Sequence, residues 1–65
     1  MTALYHAERE LVRCLERGPL SEREARAVVE ALAGEVRGAA ARALDELELR
    51  EEIVRRDGLV RLAGR

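Results

Sequence analysis

Sixty-five residues carrying 12 basic side chains, all arginine, against 13 acidic ones give a formal net charge of -1. A chain of this length buries only about 60% of its unfolded surface, so it holds a single small core and gains from a partner subunit. The near-neutral balance excludes a uniformly basic nucleic-acid coat, and one cysteine with one histidine excludes an internal disulfide and a credible metal set. The absence of Lys, Asn, Gln, Phe and Trp leaves an alphabet of helix formers, Arg, Glu, Ala and Leu, that also suits a heat-adapted protein or a GC-rich coding sequence. No apolar run approaches the roughly 20 residues of a membrane span, and the first twenty residues are charged throughout. These features predict one domain over residues 1–65, without leader or membrane anchor, in the reducing cytoplasm.

From Thr2 to Arg17, Leu4, Ala7, Leu11, Cys14 and Leu15 recur at three- and four-residue steps, which predicts a first helix over about 2–17 with Cys14 as a small core residue. Arg9, Arg13 and Arg17 line another face and, with Glu10 and Glu16, read as a solvated, salt-bridged surface. Gly18-Pro19 stops the helix, and Leu20 stands alone as a candidate short strand. Ser21 and Glu24 form a capping box that opens a second helix over about 21–33, with Ala25, Val28, Val29 and Leu32 as its buried stripe. Gly34 suits its carboxyl end.

A third helix is expected over about 35–50, with Val36, Ala40, Ala43, Leu44 and Leu47 on its inner face. No glycine or proline marks its end. The period then changes: Ile53–Arg56 and Leu59–Leu62 flank Asp57-Gly58, the dipeptide of a tight type I′ hairpin, predicting a hairpin over about 53–62. With a two-residue turn, Arg56 faces Leu59, Arg55 faces Val60, Val54 faces Arg61 and Ile53 faces Leu62. Ile53, Val60 and Leu62 then share the face that packs on the helices.

The order of elements, the stretch Ala43-Leu44-Asp45-Glu46-Leu47-Glu48 followed by Ile53-Val54-Arg55-Arg56-Asp57-Gly58, and the entry Gly18-Pro19-Leu20-Ser21 together resemble the winged helix-turn-helix family over about Leu4 to Leu62. The resemblance implies a mainly α fold with a small β-sheet, in which the third helix is a recognition helix and the hairpin a wing. It implies a DNA-binding transcriptional regulator, with the amino-terminal half of that helix in the major groove and the wing on backbone or minor groove. The chain departs from the family at Ala33-Gly34-Glu35-Val36-Arg37-Gly38, where a polar turn with Ser or Thr is usual and Glu35 would repel a phosphate.

Local charge divides the same way: +1 from Glu35 to Leu44, -4 from Asp45 to Glu52 and +3 from Ile53 to Arg65, so the acidic segment is expected to face away from DNA. Without Asn or Gln, the usual adenine readers, arginine must do the reading. Arg37 and Arg42 are the candidates for guanine edges, and Arg55, Arg56 and Arg61 for phosphates or a narrow minor groove. Gly38, Ala39 and Ala41 would let the helix backbone approach the duplex. Each of these residues also has an ordinary reading as solvated surface or helix former.

One His, one Ser at a helix cap and one Cys on an apolar stripe form no nucleophile, base and orienter, so an enzyme is not expected, nor is a cofactor. The expected partners are double-stranded DNA and a second copy of the chain, since a homodimer doubles the contacts across two half-sites. The alternative is a winged helix that docks or assembles with another protein without touching DNA. A third reading dispenses with the wing and makes the chain a helical bundle or coiled-coil subunit.

Overall fold

The structure, a computed structural model, describes residues 3–34 and 38–64. Three helices, α1 (Ala3–Leu15), α2 (Glu22–Ala33) and α3 (Ala39–Leu49), are combined with three short strands, β1 (Leu20–Ser21), β2 (Ile53–Arg56) and β3 (Leu59–Leu62). The strands form one antiparallel sheet in the order β1-β3-β2, so the fold is α+β and the continuous helical alternative is gone. No helix among the described residues is long and apolar enough to cross a membrane.

The apolar repeat of α1 buries Ala7, Leu11 and Leu15, with Leu4 and Val12 partly covered. Cys14 is only half-buried, at the margin of the core. After Leu15 the backbone tightens, Arg17 N–H donating to the Cys14 carbonyl and Gly18 N–H to that of Leu15, so the helix ends two residues before Arg17. The capping box forms as expected. Glu24 N–H donates to Ser21 Oγ and Ser21 N–H to Glu24 Oε1, both at 3.0 Å. These bonds hold the Glu24 carboxyl below its ordinary pKa, because the ionised oxygen accepts from the Ser21 backbone. That contribution to stability is present above the unfolded-state pKa and is lost as pH falls through the lowered one.

Along α2 the buried ridge is Ala25, Val29 and Ala33, a strict four-residue row. Leu32, expected in the stripe, is 38% exposed instead. The small residues of that row let α1 pack closely, and the fourth-residue row turns position 32 outward. Gly34 closes α2 with φ +74, its N–H donating to the Glu30 carbonyl.

The third helix starts later than the sequence predicts. Gly38 is its N-cap in the left-handed conformation, φ +77, so it lies outside the helical body, and the helix begins at Ala39. Val36 lies outside the described residues. Ala39, Ala40, Ala43, Leu44 and Leu47 are buried. The end of α3 has no glycine because Glu51 adopts the left-handed conformation itself, φ +62. Glu51 N–H bonds the Glu48 carbonyl at 3.0 Å and Glu52 N–H the Leu47 carbonyl at 2.9 Å, the two bonds of a Schellman motif. A Cβ in this conformation costs roughly 1–2 kcal/mol. Glu51→Gly should therefore raise stability by about 1 kcal/mol, read as a higher urea midpoint; an unchanged or lower midpoint would mean that the Glu51 side chain makes a compensating contact.

The hairpin forms in the expected register, with Ile53 opposite Leu62, Val54 opposite Arg61, Arg55 opposite Val60 and Arg56 opposite Leu59. Asp57 and Gly58 have φ of +55 and +76, the positive pair that a type I′ turn requires. Ile53, Val60 and Leu62 are buried against the helices, whereas Arg56, Leu59 and Arg61 face outward. β1 pairs with the turn-proximal end of β3, Leu20 opposite Val60 and Ser21 opposite Leu59. Glu22 N–H donates to the Gly58 carbonyl at 2.9 Å, so the hairpin turn is fastened to the first residue of α2.

Candidate nucleic-acid interface

Arg55 lies on the face of β2 that packs toward the helices, and its guanidinium is surrounded by carboxylates. Nη2 donates to Asp45 Oδ1 and to Glu48 Oε1, each at 2.8 Å, and Nη1 reaches Glu22 Oε1 at 3.3 Å. One arginine thus joins the hairpin to α3 and to the first residue of α2. The Glu48 hydrogen bond, ahead of the other causes, raises its pKa further. The geometry follows from two periods. A two-residue alternation turns Arg55 toward the same side as Ile53, and positions 45 and 48 fall on one face of α3. Arg55 is engaged internally and offers no free charge to a phosphate.

Arg42 and Arg56 are exposed, and neither makes an ion pair with a described residue. Arg42 projects from the first turn of α3, and Arg56 lies on the outer face of the hairpin beside the turn. Arg61 is exposed on the same outer face, opposite Val54. Arg37 lies outside the described residues. Of the small residues, Gly38 is exposed at the N-cap and Ala41 is half-buried, but Ala39 is buried and contributes to the core instead of an approach surface. The structure thus keeps Arg42, Arg56, Arg61, Gly38 and Ala41 at or near the surface and withdraws Arg55 and Ala39.

Part of the acidic segment is engaged in tertiary ion pairs. Asp45 and Glu48 hold Arg55; Glu52 accepts from Arg9 Nη2 at 2.7 Å and lies 3.4 Å from Arg50 Nε. Arg50 Nη2 donates to Glu8 Oε1, and Arg9 sits 5.6 Å from the centre of the Tyr5 ring. The partner of Arg9 lies 43 residues away rather than on its own helix. These pairs tie the acids to the fold without cancelling them, because Asp45, Glu48 and Glu22 share the single Arg55, and Glu46 and Glu51 remain exposed.

Glu8 is the residue that sequence reasoning missed. It stands one position after Ala7 and is 2% exposed, the one buried charged side chain among the described residues. Burial, helped by a hydrogen bond with Glu46, pushes its carboxyl pKa upward against the opposing pull of Arg50. A helical wheel places position 8 beside Leu4, Leu11 and Leu15, so its face was legible; a partner 42 residues away was not.

Elsewhere, a shallow depression on α2 is lined by Glu22, Arg23, Arg26 and Glu30, two charges of each sign without a convergent ligand set. Among the described residues no group of three or more His, Cys, Asp or Glu is placed to hold a metal ion. No protein-family model, curated protein or solved structure matches the chain.

Proposed function

We propose that the chain is a winged helix domain that binds duplex DNA through the start of α3 and the outer face of its hairpin. The observation that carries this reading is topological: helix, strand, helix, helix and hairpin in that order, with the first short strand paired to the last and the sheet ordered β1-β3-β2. That arrangement leaves α3 with an outward face bounded by the hairpin, as a recognition helix needs. Arg42 supplies charge at its amino-terminal end, Arg56 supplies charge at the hairpin, and Arg55 serves as an internal strut. Because the turn is fastened to α2 through Glu22, the wing is a stub that tracks the backbone instead of an arm that enters the minor groove.

Two or three phosphates neutralised per copy imply a slope of log K against log salt of about -1.8 to -2.7, and about a 12- to 40-fold loss between 50 and 200 mM salt. Fluorescence anisotropy with a mixed duplex tests this. Arg42→Ala with Arg56→Ala should flatten the slope toward zero, while Arg55→Ala should leave it unchanged even as it lowers stability. The absence of binding at low salt sinks the DNA reading. A second copy across adjacent half-sites would double these contacts, so the complex should have a two-to-one stoichiometry, and a one-to-one complex at saturation would remove the dimer.

The second reading is a winged helix that docks a protein partner. It is favoured by Leu49, 84% exposed at the end of α3 between Glu48 and Arg50, together with the net charge of -1. Binding that vanishes in Leu49→Arg but not in Arg42→Ala would select it.

A further inference from the structure

We propose that the buried Glu8 carboxyl holds a proton that it directs at the neighbouring Glu46 carboxyl, and that this proton and the Arg50 guanidinium latch α1 to the end of α3 in a pH-dependent way. Glu8 projects from α1 into the core, and its two oxygens meet different surroundings. Oε1 accepts from Arg50, whereas Oε2 is fully shielded from solvent and receives no donor. A shielded carboxylate oxygen without a donor is costly. The Glu46 carboxyl lies within hydrogen-bonding reach of Glu8, and two ionised carboxylates cannot bond one another. A single proton removes both difficulties: it makes one oxygen a donor and leaves the other to accept, while Arg50 compensates the remaining charge.

The surrounding charges are few. From α3 and its cap the facing groups are Glu46 and Arg50; Glu52 binds Arg50 and Arg9; and α2 and the sheet add only apolar side chains to the described core. A folded-state pKa raised above the unfolded value means that the native chain holds the proton longer. The latch contributes fully below the unfolded-state pKa of Glu8 and is lost as pH rises through the raised one, when the proton leaves to solvent and the two carboxylates repel. This sign is opposite to that of Glu24. Because α3 also carries Arg42, loss of the proton loosens the inner side of the helix whose outer side carries the proposed contacts; the latch itself does not depend on what those contacts bind.

The test is a side-chain carboxyl NMR titration of the intact chain. The Glu8 signal should titrate above the ordinary glutamate range, and Glu46→Gln, a change at an exposed position, should bring its midpoint down because the amide donates to ionised Glu8. A Glu8 midpoint within or below the ordinary range, or one that Glu46→Gln does not move, overturns the proposal. Urea midpoints give an independent reading: from about pH 5 to about pH 8 the wild type should lose stability and Glu8→Gln should lose less, since glutamine keeps a donor toward Glu46 and an acceptor toward Arg50. Equal losses in the two proteins overturn it as well.

Discussion

Leu47→Ala should cost about 2–5 kcal/mol, while Leu49→Ala, two residues along the same helix, should change stability by no more than about 0.5 kcal/mol. Leu47 is fully buried and belongs to the cluster with Leu11, Leu44, Ile53 and Val60, where truncation leaves a void that the neighbouring helices and sheet cannot close. Leu49 lies on the opposite side of α3 with 84% of its surface in water. The contrast matters more here than in a larger protein. A domain of 65 residues has a total stability of roughly 3–10 kcal/mol. Loss of the Leu47 side chain therefore removes a large share of it and lowers the melting temperature by at least about 8 °C, at the usual 4–8 °C per kcal/mol for a domain of this size. Thermal unfolding of both variants checks the assignment, and equal losses would mean that the inner face of α3 has been misplaced.

The second large effect is expected at the hairpin turn. Gly58 has φ +76, where a side chain meets no neighbour within 4 Å, so the cost of Gly58→Val is backbone strain and not collision. For a β-branched residue in the left-handed region that cost is about 2 kcal/mol. The chain has one cheap escape, a different turn type, and it is closed. A one-residue slip would put Ile53 on the face opposite Val60 and Leu62, sending one set or the other to solvent, and a reshaped turn would also lose the bond from Glu22 N–H to the Gly58 carbonyl. Gly58→Asn should cost much less, since asparagine tolerates positive φ. Urea midpoints with an unchanged m-value would report pure destabilisation. A Gly58→Val protein as stable as the parent would show that the turn does not fix the register.

A type I′ turn depends on two adjacent residues, and that is why the hairpin was legible. Asp57-Gly58 sets the turn, the turn sets the register, and the alternation around it sorts Ile53, Val60 and Leu62 from Arg56, Leu59 and Arg61 without reference to the rest of the chain. The capping box at Ser21 and Glu24 and the glycine end of α2 at Gly34 were legible for the same reason. The end of α3 was not, because Glu51 takes a conformation for which glycine is the usual marker, and only the packing of Leu47 and Ile53 on either side of it makes that strain worth keeping. Leu32 was misplaced for a related reason: a three- or four-residue step fits either of two ridges, and the neighbouring helix chooses between them.

The candidate site divides along the same line. Sequence identified the arginines and excluded other readers, since residue type is a local fact: no Asn, Gln or Lys is present to share the task. Sequence could not say which arginines remain available. Arg55 joins Asp45, Glu48 and Glu22 from two helices, Arg50 reaches back to Glu8, and Arg9 finds Glu52, pairings that span 7 to 43 residues of chain. Local rules determined the helices, the hairpin and its register, because backbone preference and side-chain period act over a few residues. The tertiary structure alone decided which charges are spent inside the fold and which face outward, because ion pairs form between whatever side chains packing brings within a few ångströms, however far apart they lie in sequence.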